Sequence, residues 1–378
     1  MADLPVPASR RWRLPDLSER WTRLIAAPGF QSWAAGFPLM RWLVRREGAA
    51  LFDVLAGFCH SQILMALVQF DLPAILLDRP QGAASLAARC GVPEERMAIL
   101  LRAGQALKLL RRKRSGVYAL TRRGAALAGA PGLTQMIRHH DVLYRDLADP
   151  AAFFRGEVET ELADFWPYVF GGALPADVAA TYSDLMAQSQ LLVAQDTLRA
   201  VSLRGVQRLM DVGGGSGAFL EAVGQRVRDT ALILHDLPEV APAAAARFAG
   251  NGMGDRLTVH AGSFKTDSLP AGADAISLIR VLYDHGDDTV RDLLTKCHAA
   301  LTPGGRLIVS EPMSGGSRPD RTTDTYFALY TLAMRTGKTR SADEITGLLK
   351  GVGFSEVTVH AARRPFVTQV IEAVRPRS

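Results

Sequence analysis

The stretch Arg208-Leu209-Met210-Asp211-Val212-Gly213-Gly214-Gly215-Ser216-Gly217 decides how this chain is read. Five residues of strand character run straight into a loop in which Gly213, Gly215 and Gly217 alternate. Glycines in that pattern let a backbone turn sharply and come close to a ligand. Ala218–Val227 reads as a helix and Ala231–His235 as the next strand. Asp236 ends that strand, 23 residues after Gly213, where an acid can bind the hydroxyls of a ribose. Asp211 stands just before the loop, placed to hold an ammonium group.

Further along, the same grammar repeats. Leu257–His260, Ala273–Ile279 and Gly305–Ser310 read as strands, and Val240–Phe248 and Thr289–Leu301 as helices. The tail adds a helix, Ser341–Val352, and two strands, Glu356–His360 and Phe366–Ala373. Strands alternating with helices imply a parallel sheet covered by helices, so residues 201–378 form a Rossmann-like α/β domain. With Ala218 as its last member the loop also satisfies the dinucleotide fingerprint. Alone, it does not separate a dehydrogenase from a methyltransferase.

Upstream, residues 82–128 read as helix, turn, helix and β-wing, with Gly91-Val92-Pro93 as the turn and Glu94–Leu110 as the second helix. This is a winged-helix pattern. That second helix sets Glu94 and Glu95 against Arg96, Arg102 and Lys108, little net charge for a groove reader. The module is therefore read as packing against a protein partner, with no nucleic acid. Ala49–Leu77 is strongly apolar, with Phe52, Leu55, Phe58, Ile63 and Leu67 mostly at helical spacings, and is expected to be buried between the subunits of a homodimer. Thr181–Leu203 reads as one long helix entering the next domain. Residues 49–200 make up this helical domain.

Residues 1–48 are an arm of another kind. Net charge over the 378 residues is +6, of which residues 1–46 carry +5. Trp12, Trp21, Trp33 and Trp42 lie there too. Arg beside Trp suits a surface that meets anionic headgroups, and equally a helical arm packed on the body with its Arg solvated. The chain is 48% apolar and 22% charged, which excludes disorder as its main state. No apolar run reaches the length of a membrane-spanning helix, and the N-terminus lacks a signal core. Cys59, Cys90 and Cys297 have neither metal nor disulfide spacing, which fits a cytoplasmic protein without a metal site.

The run of further motifs separates the enzyme classes. His235-Asp236-Leu237-Pro238, Gly262-Ser263-Phe264, Arg280–Asp288 and Leu301–Glu311 follow the loop in order. The series, with the winged-helix module, resembles the S-adenosylmethionine-dependent O-methyltransferases of the caffeate and acetylserotonin type over about residues 50–375. The arm, Leu51–Gln62 and Arg280–Asp288 look most like the branch of that family that methylates hydroxylated carotenoids in purple photosynthetic bacteria. The resemblance implies S-adenosylmethionine as cofactor, no metal, a homodimer and a lipophilic acceptor. The alternatives are another acceptor, such as a tetrapyrrole or a small phenol, and a winged-helix regulator with a vestigial cofactor site.

Carried over residue by residue, the resemblance gives Gly213, Gly214, Gly215 and Gly217 to the methionine part of the cofactor, with Asp211 beside them. Asp236 and Leu237 go to the ribose, and Ser263 and Phe264 to the adenine, with Arg280 next to the site. Relatives carry a His where this chain has Tyr283, so the imidazole stands two positions later, at His285. Glu311 matches the acid that orients the base, while a second acid of the family is Thr339 here. A common Lys is replaced by Ile279, next to Arg280. A neutral alcohol must lose its proton as the new bond forms, and His is the usual acceptor because it titrates near neutrality. Tyr283 is then expected to orient the acceptor and His285 to take the proton. Phe165, Trp166, Tyr182, Met186, Tyr330 and Met334 are the candidates for lining an apolar acceptor pocket at the domain junction. His139-His140 either faces that pocket or is a solvated or packed pair, the latter favoured because adjacent helical residues do not share a face.

Overall fold

The computed structural model describes residues 17–165 and 190–377. The C-terminal half is built on a seven-stranded sheet. Its strands are β3 (Arg208–Val212), β4 (Ala231–Asp236), β5 (Leu257–Ala261), β6 (Ala273–Ile279), β7 (Leu301–Glu311), β8 (Ser355–His360) and β9 (Gln369–Val374), in the order β5-β4-β3-β6-β7-β9-β8. β1 (Leu110–Arg112) and β2 (Tyr118–Leu120) form the separate antiparallel wing. β3 to β7 are parallel, and β9 joins β7 and β8 antiparallel. Chain direction across the sheet reverses between β3 and β6, and open α/β sheets bind ligands at such a switch point.

The central strands read as near-continuous apolar runs because helices cover both faces. One core layer takes Met210, Val212, Ile276, Leu278, Leu293, Leu294 and Ile371. The opposite layer takes Leu209, Phe219, Leu220, Leu234, Phe248 and Ile308, together with Val193, Ala194 and Leu198 from the helix over 190–200. Arg364 clamps that helix through both oxygens of the buried Asp196, at 2.8 Å each.

In the N-terminal half the helix expected over Glu94–Leu110 stops at Ala106. Lys108 takes a left-handed backbone (φ 59°), and Leu110 pairs with Leu120 as the first residue of the wing. The apolar stretch expected as one buried helix is divided. Pro38–Leu55, Gly57–Gln69 and Leu72–Asp78 are separate helices, and the first two meet at a bend of 52°. Pro38–Leu55 continues across the boundary drawn at residue 48. In the single chain Leu51, Phe52, Val54, Leu55 and Phe58 are exposed, which is how a face reserved for a second subunit looks. Among the described residues no single helix is long and apolar enough to cross a membrane.

The halves meet through a small core of Leu143, Phe153 and Leu162 against Tyr330, Ala333 and Met334. The C-terminal side of this junction is a π-helical turn, Thr323–Phe327, running into the helix Ala328–Ala333, between β7 and the last helix.

Candidate active site

At the carboxyl end of β3, Gly213, Gly215 and Gly217 have φ values of 71°, 59° and 74°. Side chains are disfavoured there, which is why the loop is written in glycine. Gly214 is required for space instead. A Cβ would collide with Asp211 Oδ2 and come within 2.7 Å of Leu234 Cδ1. Asp211 is fully buried and accepts a hydrogen bond from Ser277 Oγ at 2.6 Å, yet its Oδ2 has no partner. Burial pushes this carboxyl up to about 7. Asp236 braces the loop from β4, its two oxygens accepting from Gly215 N and Leu237 N at 2.7 Å each. Burial raises its pKa too.

Ser263 and Phe264 follow β5. Ser263 N donates to Asp267 Oδ2 at 2.9 Å. The Phe264 ring meets His285 edge-on with centroids 5.3 Å apart. The residues expected at the cofactor are thus gathered at the ends of β3, β4, β5 and β6, around the switch point.

The connection after β6 is made differently. Arg280 has φ 59°, unusual for a residue with a side chain, and is tied by its N–H to Ser310 O at 2.8 Å. One 3₁₀ turn, Leu282–Asp284, follows. Glu311 Oε2 accepts the N–H groups of Leu282 and Tyr283 at 3.0 and 3.2 Å, so this acid grips the turn that carries Tyr283. Its Oε1 is buried without a partner, and burial pushes the carboxyl up to about 7. Arg340, only 1% exposed, donates to Leu282 O at 3.0 Å, to His285 O at 2.8 Å and to Asp287 Oδ1 at 2.7 Å. The segment over 336–340 acts as a strap. Thr336 Oγ1 donates to Asp284 O, Lys338 N to Tyr283 O, and Gly337 packs where a Cβ would lie 2.8 Å from Tyr283 O.

Within this turn Tyr283 is buried, and its hydroxyl accepts from Arg280 Nε at 3.3 Å. Burial drives its phenol further up, so it remains protonated at neutral pH. His285 is also buried. Desolvation, then the charges of Lys265 and Arg340, lower its imidazole to about 4, well below the neutral range expected from sequence. Asp284 has an unpartnered Oδ1, and burial raises its carboxyl well above the usual range. Asp211, Asp284 and Glu311 therefore each bury an unsatisfied carboxylate oxygen around one end of the sheet. A folded protein keeps few such groups without a use for them.

At the junction, His139 Nε2 lies 3.1 Å from Tyr330 Oη and His140 Nε2 lies 2.7 Å from Tyr326 Oη. Adjacent helical residues were expected to diverge. Both are engaged because tyrosines four apart present two hydroxyls along one helix face. Burial lowers both imidazoles to about 4. The Arg280 charge is felt at Tyr326, which joins this cluster to Tyr283. Met334 has no exposed surface and packs with Tyr330 in the junction core. Trp166, Tyr182, Met186 and the Phe165 side chain lie outside the described residues.

Sequence reasoning passed over Arg340, Asp287, Ser277 and Tyr326. Arg340, Ser277 and Tyr326 lie far along the chain from the groups they support, and Asp287 lies within the Arg280–Asp288 motif but acts through the distant Arg340. Thr339, noted only as a replaced acid, sits in the strap beside Arg340.

Comparison with known proteins agrees with this architecture. An O-methyltransferase domain matches residues 144–355, and an O-methyltransferase dimerisation domain matches 52–129. The demethylspheroidene O-methyltransferase of Cereibacter sphaeroides is 55% identical over 95% of this chain and 96% of its own length. That of Rhodobacter capsulatus is 50% identical, over 94% and 89%. Among solved structures, the S-adenosylmethionine-dependent methyltransferase SibL superposes with a TM-score of 0.75 at 24% identity, over 87% of this chain and 99% of its own, and shows the same fold. With a catalytic domain of this topology behind a dimerisation module, and relatives this similar along nearly the whole length, the chain belongs to the O-methyltransferase family.

Proposed function

We propose that this enzyme moves a methyl group from S-adenosylmethionine to the hydroxyl of a hydroxylated carotenoid such as demethylspheroidene. The observation that carries the reading is the glycine cradle at the switch point, flanked by the buried carboxylate of Asp211 and the half-buried one of Asp236, in a chain this similar to demethylspheroidene O-methyltransferases. The residues fit the cofactor. Asp211 Oδ2 is an unused anionic acceptor for an ammonium group, and the Asp236 oxygens keep lone pairs for a ribose diol. When bound, the sulfonium supplies the electrophilic methyl group, so the protein's task is to position and to exclude water.

On this reading Tyr283, neutral and hydrogen-bonded to Arg280, orients the acceptor oxygen. His285 is neutral above about pH 5 and available to take the proton, its ring set by Phe264. Glu311 and Arg340 fix the turn between them. Tyr330 borders the acceptor at the junction. A lipophilic acceptor of this class is held in lipid, so we place the homodimer in the cytoplasm at a membrane surface.

The test is methyl transfer to demethylspheroidene, read by mass spectrometry, with single-turnover rates across pH. Removing a positioned proton acceptor or orienting group costs about 10²–10⁴-fold in rate. Tyr283→Phe and His285→Ala are each expected to fall within that range while cofactor affinity stays unchanged. With S-adenosylmethionine saturating at every pH, the wild-type rate should be flat from pH 6 upward and decline only toward the His285 pKa of about 4. If both variants keep wild-type rates, the proton assignment fails. If a small phenol is methylated and the carotenoid is not, the acceptor assignment fails.

A further inference from the structure

The exposed apolar ridge of the N-terminal helices has two parts of different chemistry. Residues 51–58 expose Leu51, Phe52, Val54, Leu55 and Phe58 with Asp53 as the single charge, and the dimerisation-domain match begins here, at residue 52. The part before it, over 17–46, lies outside that match. Its first helix, Leu17–Ala26, sets Leu17, Trp21, Leu24 and Ile25 on one face at helical spacing, and none of its residues is buried. The next two helices start at Pro28 and Pro38 and continue the face with Trp33, Phe37, Leu39 and Trp42, the last two being 83% and 66% exposed. Trp21, Phe30, Trp33 and Phe37 form a continuous ladder of rings with centroids 6.1, 5.5 and 5.0 Å apart. Arg20, Arg23, Arg41, Arg45 and Arg46 stand among them, opposed by Glu19 and by Glu47, which pairs with Arg46 at 2.6 Å, so the face keeps a net positive charge.

We infer that residues 17–46 form a docking surface for an anionic lipid bilayer, with the tryptophans at headgroup level and the arginines on the phosphates. Charge decides between the two occupants that such a face could take. A second copy would meet it about a two-fold axis, placing each cluster of arginines against its own image, a costly juxtaposition. Anionic headgroups are complementary to that cluster, and Trp is the side chain that sits at the lipid–water boundary. The neighbouring patch at 51–58 has no such charge and suits a second copy. The inference deepens the membrane-surface reading above and does not depend on the carotenoid, because vesicle binding and methyl transfer are measured separately.

The experiment is co-sedimentation of the full-length dimer with vesicles of phosphatidylcholine alone, or of phosphatidylcholine with about one third phosphatidylglycerol, at low and high salt. Binding to the anionic vesicles, weakened by salt, is expected. The triple variant Arg41→Gln, Arg45→Gln, Arg46→Gln should bind about 100-fold more weakly, from roughly a fivefold loss per cation. Trp21→Ser with Trp33→Ser and Trp42→Ser should abolish binding. All these side chains are partly or fully exposed, and circular dichroism and calorimetric cofactor binding serve as checks that the variants are folded. The inference is overturned if wild-type protein ignores both vesicles, or if the arginine variant binds as wild type does. It is equally overturned if the tryptophan variant keeps its lipid affinity while its sedimentation velocity shows a smaller assembly, which would make this face a protein interface.

Discussion

The two loops at the centre of the site leave neighbouring strands and build opposite kinds of turn. After β3 the chain turns by means of its own composition. Three glycines take left-handed backbone and a fourth clears space for Asp211, while Asp236 from the adjacent strand and Arg247, which donates to Ser216 O at 3.0 Å, brace the loop from outside. After β6 the chain turns without a glycine until Gly286. Arg280 occupies left-handed backbone with a full side chain, held by Ser310 and followed by a turn clamped by Glu311 and by Arg340, 60 residues further on. The first loop is conformationally cheap and leaves room for a ligand. The second is held from outside, and its centre is filled by side chains, Tyr283, Asp284 and His285, all buried.

This difference can be tested by perturbing each loop. The largest loss is expected for Arg340→Ala, which strips donors from two buried carbonyls and leaves Asp287 short of a partner. Each buried carbonyl left without its donor costs about 1–3 kcal/mol, read together as a lowered urea midpoint. Retention of wild-type stability would mean that the turn holds itself.

Asp211→Asn comes next, with an expected loss of about 1.5–3 kcal/mol in S-adenosylmethionine affinity at pH 8, by calorimetry. Because burial holds Asp211 near 7, wild-type affinity should rise with pH through about 7 as the carboxylate forms, and the variant should show no such rise. The effect on stability has the opposite sign. Between about pH 4 and 7 the folded carboxyl keeps its proton while the unfolded one has lost it, so ligand-free stability falls by up to about 1.4 kcal/mol per pH unit. Stability from this group is thus fully present below about pH 4 and lost as pH rises through 7. The Asn variant should lack this component, and an unchanged slope would show that Asp211 is already ionised.

Within the glycine loop, Gly214→Ala should cost about 1–3 kcal/mol through crowding against Leu234 and Asp211. Gly215→Ala meets open space and pays only for its left-handed backbone, about 1 kcal/mol. Thermal melts of the two would rank them. The reverse order would mean that strain, rather than space, shapes the loop.

Much of the catalytic domain was legible from residue patterns. β3 and β6 have the bounds expected, and β4 and β5 run one residue further. β7 begins at Leu301 rather than Gly305. Pro303-Gly304-Gly305 reads as a breaker, but Gly304 and Gly305 exchange hydrogen bonds with Arg375 and remain in the sheet. The helix after Glu94 was overextended because nothing in the order of apolar residues announces Lys108 turning left-handed. Thr323–Phe327 and Ala328–Ala333 were not anticipated, and with them went Tyr326 and the paired contacts to His139 and His140.

The sequence by itself determined the parallel sheet, the glycine cradle and the acids beside it. Each depends on short-range physics: apolar runs that must be covered, and backbone angles that only glycine adopts at little cost. Tertiary structure alone decided what surrounds Tyr283. The grip of Glu311, the Arg340 clamp and the depressed imidazole of His285 come from groups that share no local pattern with the turn they control. Their effect depends on burial, which removes water from carboxylates, phenol and imidazole together, and burial is a property of the packed molecule rather than of any segment of the chain.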